Sequence, residues 1–394
     1  MSEKNIQIKA KPSFINNPRN RAIFYQLLLL FGLGYFFISI ISNTLANMEA
    51  RGIKSGYSFL KSTSGFDILM TLIPYDATSS YFHTFIVGML NTILVSVIGI
   101  FIATILGFLM GVAYFSKNWL IRKSSVVYVE IFRNIPLLLQ VFFWYSAVLA
   151  TLPSAHNSLS VGEAIFLNIR GFYFPKVLNE PLSILVYIAF VIAIVAVVCL
   201  KIWAKKRQDL TGQQFPVLFA SLALLIGLPL IVTLLSGVPF QLEYPVLKGF
   251  NFKGGVTIIP ELIALTLALS IYTGAFIAEA VRAGIQAVPQ GQTEAARSLG
   301  LKENRIMSLV VVPQAMRVIV PMLNSEYQSL VKNSTLATAI GYPDLFTVFV
   351  GTSLNQTGQA IEIVFMTIAV YFAFNMSISF IMNQVNKRVS HVER

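Results

Sequence analysis

Long apolar runs separated by short polar stretches dominate the pattern of this chain. A run of about 20 residues with few charged side chains is long enough to cross the hydrocarbon core of a bilayer as a helix. The chain has seven clear runs of this kind, at residues 22–42, 81–116, 126–150, 181–200, 215–236, 256–281 and 363–386. The pattern therefore predicts an all-α polytopic membrane protein.

Segment 313–341 is a further candidate span, although charged side chains interrupt it. Those side chains are Arg317, Glu326 and Lys332. The polar stretch before it and the C-terminal tail both carry the basic residues typical of cytoplasmic loops, and one clear span lies between them. Because one span cannot return the chain to the side it left, we predict that 313–341 also crosses, which gives about eight transmembrane helices. Pro313 and Pro321 predict that this crossing is short or bent.

The composition and the placement of charge support the same conclusion. Of the 394 residues, 56% are hydrophobic and 12% are charged, whereas soluble domains carry about 25% charged residues. The net charge of +12 does not indicate nucleic acid as a partner, because the basic residues are concentrated in alternate polar stretches. These stretches are 1–21, 116–125, 201–214, 282–317 and 387–394. By the positive-inside rule, this bias predicts that both termini lie in the cytoplasm.

The chain lacks the common sequence motifs of enzymes. It has one cysteine, Cys199, and three scattered histidines, so no metal site is predicted. No Gly-Lys dipeptide occurs, which excludes a GxxxxGK[ST] phosphate-binding loop, and neither HExxH nor GxSxG is found. We therefore expect a transport protein and not an enzyme, with no cofactor bound by this chain. If it moves a solute uphill, the energy comes from another chain or from an ion gradient.

A compact charged segment, "EAARSLGLKENRIMSLVVVP" at residues 294–313, stands out from the apolar background. Good helix formers continue up to Gly300, where a glycine can end a helix in the left-handed conformation. We predict two short helices around a glycine pivot, which could transmit movement to a partner protein. The residues expected to take part are Glu294, Ala295, Ala296, Arg297, Gly300 and Pro313. The alternative interpretation is an ordinary amphipathic cytoplasmic loop.

This segment resembles the EAA loop, EAA-x3-G-x9-I-x-L-P, of bacterial ABC importer permeases, with Val310 and Val312 in place of the Ile and Leu. Three stretches resemble the polar amino acid uptake permeases of the histidine/glutamine type. They are "YVEIFRNIPLLLQVFFWY", "AFIAEAVRAGIQAVPQGQTEAARSLGL" and "LNSEYQSLVKNSTLATAIG". The resemblance implies a type I importer fold in the bacterial inner membrane, in which the EAA loop forms coupling helices that dock onto an ATPase subunit.

The resemblance also implies a division of the chain. A five-helix permease core would comprise 82–150 and 251–386, including a cytoplasmic coupling loop at 283–313. Added to it are 1–81 (tail, extra helix and external loop), an insert at 151–250 with two extra helices, and a tail at 387–394. We interpret the first helix as an uncleaved anchor, because about 20 apolar residues are long for a signal peptide. Periplasmic docking and lipid-facing bulk are both open as roles for the insert.

This layout resembles the Q-type permease subunit of the general L-amino acid transporters of Gram-negative bacteria. The resemblance implies four partners besides the lipid bilayer. They are two ATPase subunits that carry ATP and Mg, a second permease of the M type and a periplasmic amino-acid-binding protein. The implied substrate is an L-amino acid.

Charged residues inside predicted spans are costly in lipid and are therefore candidates for function. Glu130 with Arg133, and Glu279 with Arg282, are spaced by three residues near helix ends, so each can be a neutralised ion pair. The seventh span carries a polar group that could line the substrate path or its gate. Its members are Glu326, Lys332, Asn333, Ser334 and Thr335.

Less specific roles are also open for these charges. Lys332 can reach the membrane surface and Glu326 can pair with a neighbouring helix. A stand-alone secondary transporter, with Glu130, Glu279 or Glu326 as its proton carrier, is the main alternative function. A purely structural membrane anchor for an ATPase complex is a third.

Overall fold

The computed structural model describes residues 18–50, 55–237 and 240–390. Two parts of the predicted cytoplasmic tails lie outside this range. They are residues 1–17 at the N-terminus and 391–394 at the C-terminus. The helices are α1 (Pro18–Ala50), α2 (Tyr81–Ala113), α3 (Trp119–Asn134), α4 (Leu137–Phe142), α5 (Ser183–Thr211), α6 (Val217–Leu235), α7 (Pro260–Gln286), α8 (Gln290–Ser298), α9 (Glu303–Ile306), α10 (Val312–Asn333), α11 (Leu354–Thr357) and α12 (Ala360–Ser390).

The number of spans agrees with the sequence prediction. In the described part of the chain, seven helices are long and apolar enough to cross a membrane, and a bent pair makes an eighth. The all-α polytopic fold is thereby confirmed. The bent pair, Trp119–Asn134 and Leu137–Thr151, turns by 106°. The cause is Pro136, which disfavours helical geometry in the residue before it, and Ile135 is accordingly extended, with φ of −92° and ψ of 128°.

The seventh span corrects the prediction of a short or bent crossing that begins at residue 313. Glu303–Ala339 is instead one helical span of 37 residues. A π-helical turn at Met307–Val311 directly precedes α10, whose second residue is Pro313. Such a wider turn is one of the ways in which a helix accommodates a local disturbance. Pro321 lies inside α10, which continues through it.

The core is built around the close packing of α2 against α7. Glycines on α2 allow this approach, because a side chain there would collide with α7. A Cβ atom added to Gly107 would lie 2.4 Å from Cγ2 of Ile277, and one added to Gly111 would lie 2.6 Å from Cβ of Val281. Small residues at such contacts let helix backbones approach closely inside a membrane. The packing thus fixes the position of α2 relative to α7.

Two further helices complete the core around α7. The helix α10 packs against both α7 and α12. A Cβ atom added to Gly284 of α7 would lie 2.4 Å from Cγ1 of Ile319 on α10. On another side of α7, the hydroxyl of Tyr128 on α3 donates a hydrogen bond of 2.7 Å to the carbonyl of Ile271. The helix α7 therefore lies at the centre of the core.

The insert has a different construction. Its helices α5 and α6 pack against each other, with small residues such as Ala189 and Ala193 on the buried face of α5. The segments flanking this pair form short strands, which the sequence analysis did not predict. They are β1 (Leu159–Val161), β2 (Ile165–Asn168), β3 (Gly171–Phe174), β4 (Lys176–Asn179), β5 (Phe240–Glu243), β6 (Val246–Lys248), β7 (Asn251–Lys253) and β8 (Val256–Ile258).

Every strand pairing in the insert is antiparallel. One sheet has the order β1-β2-β3-β8, and two ladders join β4 to β5 and β6 to β7. Because β3 pairs with β8 and β7 with β6, residues 251–258 belong structurally with the insert, and the predicted start of the core at 251 moves to the start of α7. The last strand leads directly into α7 through Ile259, so the insert is joined to the central core helix.

Candidate functional site

The charged segment folds as a helix, a glycine turn and a second helix. The helix α8 ends at Ser298, and Gly300 follows with φ of 78°. The amide of Gly300 donates to the carbonyl of Arg297, and the amide of Leu301 donates to that of Ala296, at 2.8 and 3.3 Å. These two bonds form a Schellman motif, in which glycine is favoured at the left-handed position. The predicted left-handed turn at Gly300 is therefore confirmed. The second helix, α9, continues into the seventh span.

The two alanines of this segment have different environments. Ala296 is 4% exposed and packs with Ile306 and Val311 in a small apolar cluster. Ala295 is exposed. Ala295 is therefore available to a partner, whereas the methyl group of Ala296 is used to hold α8 against the start of the seventh span.

Charged and apolar side chains cover the outer surface of the same segment. Arg297 donates from Nε to Oε1 of Glu303 at 2.7 Å and from a terminal nitrogen to Oε2 at 3.3 Å. This bidentate pair bridges the Gly300 turn, and it raises the pKa of Arg297 through the hydrogen bond and the charge of Glu303. Glu294 is exposed. Leu299, which the sequence analysis did not single out, is 81% exposed beside the turn.

The four charged residues near the ends of α3 and α7 form a different set of ion pairs from the expected one. Arg282 lies 2.6 Å from Glu279, which confirms that pair. Arg133 lies 3.6 Å from the other oxygen of Glu279. The expected pair of Glu130 with Arg133 is not formed, since Arg133 turns toward α7, where its guanidinium also stacks over the ring of Phe276. The result is one three-residue cluster that joins the two helices.

A cavity of about 290 Å³ lies beside this cluster. Its wall includes Glu130, Arg133, Glu279 and Arg282, together with the ring of Tyr114. The guanidinium of Arg282 lies over that ring at 4.9 Å from its centroid. Each of the two guanidinium groups thus has an aromatic ring as well as a carboxylate as its partner.

The polar residues of the seventh span differ in their exposure and in their hydrogen bonds. Glu326 is half-buried and lies within electrostatic reach of Arg133. Lys332 is exposed and Asn333 is half-buried. The hydroxyls of Ser334 and Thr335 donate to the backbone carbonyls of residues 331 and 332, both at 2.8 Å. The donors of these two hydroxyls are thus used within the helix.

A buried polar network around Asp344 was missed by the sequence analysis. Asp344 is fully buried between the seventh and last spans. Its Oδ1 accepts from the amide of Thr347 at 2.8 Å, and its Oδ2 accepts from the hydroxyl of Tyr371 at 3.1 Å. Burial raises the pKa of this carboxyl to about 6. The sequence contains one relevant signal, since aspartate is a preferred residue at helix starts, and a helical segment begins at Phe346.

The same network joins α2 to residues 342–345, in the connection between the seventh and last spans. The side-chain amide of Asn91 donates to the carbonyl of Pro343 at 2.9 Å, and the hydroxyl of Tyr342 donates to the carbonyl of Asn91 at 2.9 Å. The amide of Leu345 donates to the hydroxyl of Thr92 at 3.0 Å. Polar groups that are buried in this way are stabilising only when they are paired, so the network specifies one arrangement of α2 and the connection.

Comparisons with known proteins give a consistent result. The family model described as "binding-protein-dependent transport system inner membrane component" matches residues 164–391. The chain is 48% identical over 399 residues, with full coverage of both proteins, to a putative amino-acid ABC transporter permease protein, YhdX, of Escherichia coli. It is 48% identical to the general L-amino acid transport system permease protein AapQ of Rhizobium johnstonii, over 97% of this chain and 95% of that protein.

A third relative is more distant and still covers nearly the whole chain. The glutamate/glutamine/aspartate/asparagine transport system permease protein BztB of Rhodobacter capsulatus is 38% identical over 96% of both chains. Since the relatives match almost end to end, the insert and the extra N-terminal helix lie within the shared length. The chain belongs to the family of inner membrane components of binding-protein-dependent transport systems.

Proposed function

We propose that this chain is the transmembrane permease subunit of an ATP-driven ABC importer for L-amino acids. The observation that carries the proposal is the near-complete match to three permeases that are named for amino acid transport. The charged segment with its left-handed Gly300 supports it, because this segment offers a separate ATPase chain a compact surface. ATP and Mg bind to that ATPase chain, and the importer has a five-helix type I core.

The proposed assembly has four partners for this subunit. Two ATPase subunits dock on the cytoplasmic side, a second, M-type permease completes the pathway, and a periplasmic binding protein delivers the substrate. The chain lies in the bacterial inner membrane with both termini in the cytoplasm, as the distribution of basic residues supports. Nucleic acid has no part in the function.

In this proposal the segment 283–313 couples the ATPase to the spans. Ala296 holds α8 against Ile306 and Val311, while Glu294, Ala295 and the Arg297 pair form the surface that meets the ATPase. Because α9 is the start of the seventh span, a displacement of α8 passes directly into that span. Pro313, in the first turn of α10, has no backbone N–H and therefore donates no hydrogen bond there.

The substrate path is proposed to follow the polar side of the seventh span. An L-amino acid is a zwitterion, so its path needs donors for a carboxylate and acceptors for an ammonium group. Lys332 and Asn333 supply donors and Glu326 supplies an acceptor, while Ser334 and Thr335 shape the helix end through their backbone bonds. The ion pair of Arg133 with Glu279 holds α3 against α7 beside this path.

A lysine variant tests the path separately from assembly. Lys332→Met is expected to lower amino acid uptake while ATP hydrolysis continues, because the donor is lost and the ATPase surface is unchanged. Lys206→Met, at an exposed lysine on α5, is the matched control. Uptake and hydrolysis in proteoliposomes are the measurements. Wild-type values of both for Lys332→Met would show that Lys332 only anchors the helix at the membrane surface.

The function itself is tested by the energy source of uptake. The chain is reconstituted in proteoliposomes with its ATPase, the second permease and the binding protein, and uptake of radiolabelled L-glutamate and L-glutamine is followed. We expect uptake to require ATP and to persist when an uncoupler removes the proton gradient. Uptake without the ATPase that stops with the uncoupler would identify a secondary transporter. ATP hydrolysis without any solute flux would identify a structural anchor.

A further inference from the structure

The strands of the insert form a small folded unit, which we call the platform (residues 155–179 and 240–258). It has an apolar centre of its own, made by Ala155, Tyr173 and Phe252. The rings of Phe166 and Phe252 lie 4.5 Å apart, and the hydroxyl of Tyr173 donates to Oδ1 of Asn251 at 2.8 Å. The platform is therefore a defined surface and not a loose connection between spans.

The platform lies outside the spans, at the ends predicted to be extracytoplasmic. Its strands have three or four residues, whereas a strand that crosses a bilayer needs about 9–11. It leads into α5 on one side and follows α6 on the other. The basic residues of the loop that joins α5 to α6 indicate that this loop is cytoplasmic. The platform therefore faces the opposite compartment.

The β6–β7 hairpin presents an aromatic side chain at its tip. Lys248 pairs with Asn251, so the turn consists of Gly249 and Phe250 alone. Gly249 has φ of 65°, a conformation that two-residue hairpin turns require and that glycine adopts at little cost. The ring of Phe250 is 80% exposed. Such a rigid, exposed aromatic side chain on a short turn has the properties of an anchor residue at a protein interface.

The exposed charges on the hairpin that carries this aromatic side chain are basic, namely Lys248 and Lys253, whereas the half-buried Glu243 lies opposite Lys176 on the β4–β5 ladder. Four of the charged side chains on the platform are exposed and basic, and one is exposed and acidic. The basic residues are Arg170, Lys176, Lys248 and Lys253, and the acidic residue is Glu163. Glu180, by contrast, accepts a hydrogen bond from Gln241. Positive charge around an apolar anchor fits a partner with acidic residues around an apolar hollow.

A concave surface adjoins the hairpin. Its volume is about 410 Å³, and both polar and apolar side chains line its wall. His156, Ser158 and Glu163 supply the polar side, and Val246 and Phe252 the apolar side. Lipid chains offer no hydrogen bonds to such polar groups, whereas protein interfaces combine an apolar centre with a polar rim. A soluble protein is thus the better occupant of this surface.

The platform is also joined mechanically to the core. Strand β8 is held in the sheet by its pairing with β3, with Phe172 opposite Ile258. Only Ile259 separates β8 from the first residue of α7, Pro260. Glu261 in the first turn of α7 accepts a hydrogen bond of 3.0 Å from the hydroxyl of Tyr145. A displacement of the platform is therefore transmitted to the extracytoplasmic end of α7.

We propose that the platform is a docking surface for the soluble, acidic binding protein that delivers the substrate, with Phe250 as its apolar anchor and Lys248 and Lys253 as its charged rim. This inference rests on the proposed function and gives the insert a role in it. Docking on the platform positions the binding protein over the core and acts on α7 through β8.

The test uses the complete complex in nanodiscs and the binding protein that supports uptake by the unmodified complex. Phe250→Ala is expected to weaken binding about tenfold or more, as loss of a central anchor does. The double variant Lys248→Glu/Lys253→Glu is expected to weaken it and to remove most of its dependence on salt, because screening acts on the charged rim. Basal ATP hydrolysis without the binding protein is expected to stay at the wild-type rate.

Two matched controls and a conservative variant complete the design. Phe372→Ala, at a residue on α12 that is 65% exposed, and Lys206→Glu on α5 are expected to leave binding unchanged. Phe250→Leu is expected to retain most of the binding, which separates loss of the anchor from misfolding of the hairpin.

Three outcomes overturn the inference. They are wild-type binding by both platform variants, loss of the second permease from the purified complex, and equal binding losses in the Phe372→Ala control. The second would assign the platform to the permease pair. The proposed function fails separately, if the unmodified complex gains no uptake from ATP and the binding protein.

Discussion

The helices α7 and α6 are both apolar enough to cross a membrane, and they differ in what surrounds them. Of the most apolar stretch of α7, 67% is buried inside the chain, whereas the corresponding figure for α6 is 6%. The helix α7 contacts α2, α3 and α10. Among the described elements, α6 makes an extensive contact with α5 alone. The mean hydropathy of the most apolar stretch is 2.6 in α6 and 1.7 in α7. The more apolar helix is thus the exposed one at the edge of the insert, and the less apolar one lies at the centre of the core.

The difference shows where sequence changes are constrained. Lipid is as apolar as a leucine side chain, so helices associate in a membrane through close packing and hydrogen bonds. The α2–α7 contact has both, through Gly107 and through the hydroxyl of Ser270, which donates to the carbonyl of Gly99 at 3.4 Å. The insert helices are instead held to the core by the sheet that ends in β8. We therefore expect substitutions in the core to be costly and matched ones in the insert to be mild.

The largest expected effect comes from filling the α2–α7 contact. Gly107→Val places atoms where Ile277 already lies, 2.4 Å from the added Cβ, and overpacking of this kind costs about 1–3 kcal/mol or more. We expect a lower melting temperature in detergent and a lower yield of folded permease. Gly227→Val is the control on α6, where nothing lies within 4 Å of an added Cβ. Equal losses for both variants would contradict the distinction between core and insert.

A smaller effect of the same kind is expected in the charged segment, where the two alanines differ in burial. Ala296→Asp puts a charge among Ile306 and Val311 and is expected to detach α8, which limited proteolysis of the permease alone would detect. Ala295→Asp is expected to leave α8 intact and to weaken association with the ATPase. The contrast fails if Ala295→Asp opens the segment to protease as much as Ala296→Asp does.

The buried carboxyl of Asp344 in the core makes the stability of the protein depend on pH. Because its pKa of about 6 lies above the value near 3.9 of an unfolded aspartate, the native protein binds more protons between these values. Stability from this group therefore falls as pH rises from about 4 to 6, and it is constant above that range. Tyr342 stays neutral there, since burial raises the pKa of its hydroxyl.

The variant Asp344→Asn removes this ionisation and retains an acceptor for the amide of Thr347. The melting temperature of the variant, relative to the unmodified protein, is expected to increase as pH rises from 4 to 7. Asp76→Asn is the control, because Asp76 is exposed and hydrogen bonds from Thr78 lower its pKa. A pH-independent difference for Asp344→Asn would show that this carboxyl keeps an ordinary pKa.

The smallest effect is expected at the exposed Arg297–Glu303 pair. Exposed ion pairs contribute little, since water screens them and both side chains lose freedom. Arg297→Gln is expected to change the affinity for the ATPase within about twofold at physiological salt. The difference in ATPase affinity between this variant and the unmodified protein should become smaller at high salt, because salt screens the exposed charges. A larger loss that persists at high salt would mean that Arg297 contributes more to ATPase binding than a solvent-exposed ion pair does.

The parts of this structure that the sequence predicted are those determined by local chemistry. Apolar run lengths predicted the spans, and Gly300 predicted its own left-handed turn. The strands were missed because segments such as 159–161 and 256–258 have three residues each, too few for a visible alternation. Two of the pairings, β3 with β8 and β4 with β5, join residues that precede α5 in the sequence to residues that follow α6. A local sequence pattern contains no information on such distant pairs.

The site was predicted less completely than the spans, and for a related reason. The pair Glu279–Arg282 follows from spacing within one helix, whereas the contact of Arg133 with Glu279 depends on how α3 crosses α7. The network of Asp344 joins three segments far apart in sequence. Pro136 and Pro321 show the same limit, since both are prolines in apolar runs and the chain bends at the first and continues through the second.

The central claim is that the charged segment couples an ATPase to transport, and one measurement tests it most directly. ATP hydrolysis and amino acid uptake are recorded in the same proteoliposomes for the unmodified complex, Gly300→Val and Gly291→Val. A β-branched residue resists the left-handed conformation that Gly300 adopts at φ of 78°, whereas Gly291 lies inside α8 with open space around it. We predict that Gly300→Val loses uptake and binds the ATPase weakly, and that Gly291→Val retains both. Wild-type uptake and ATPase binding in Gly300→Val would contradict the account.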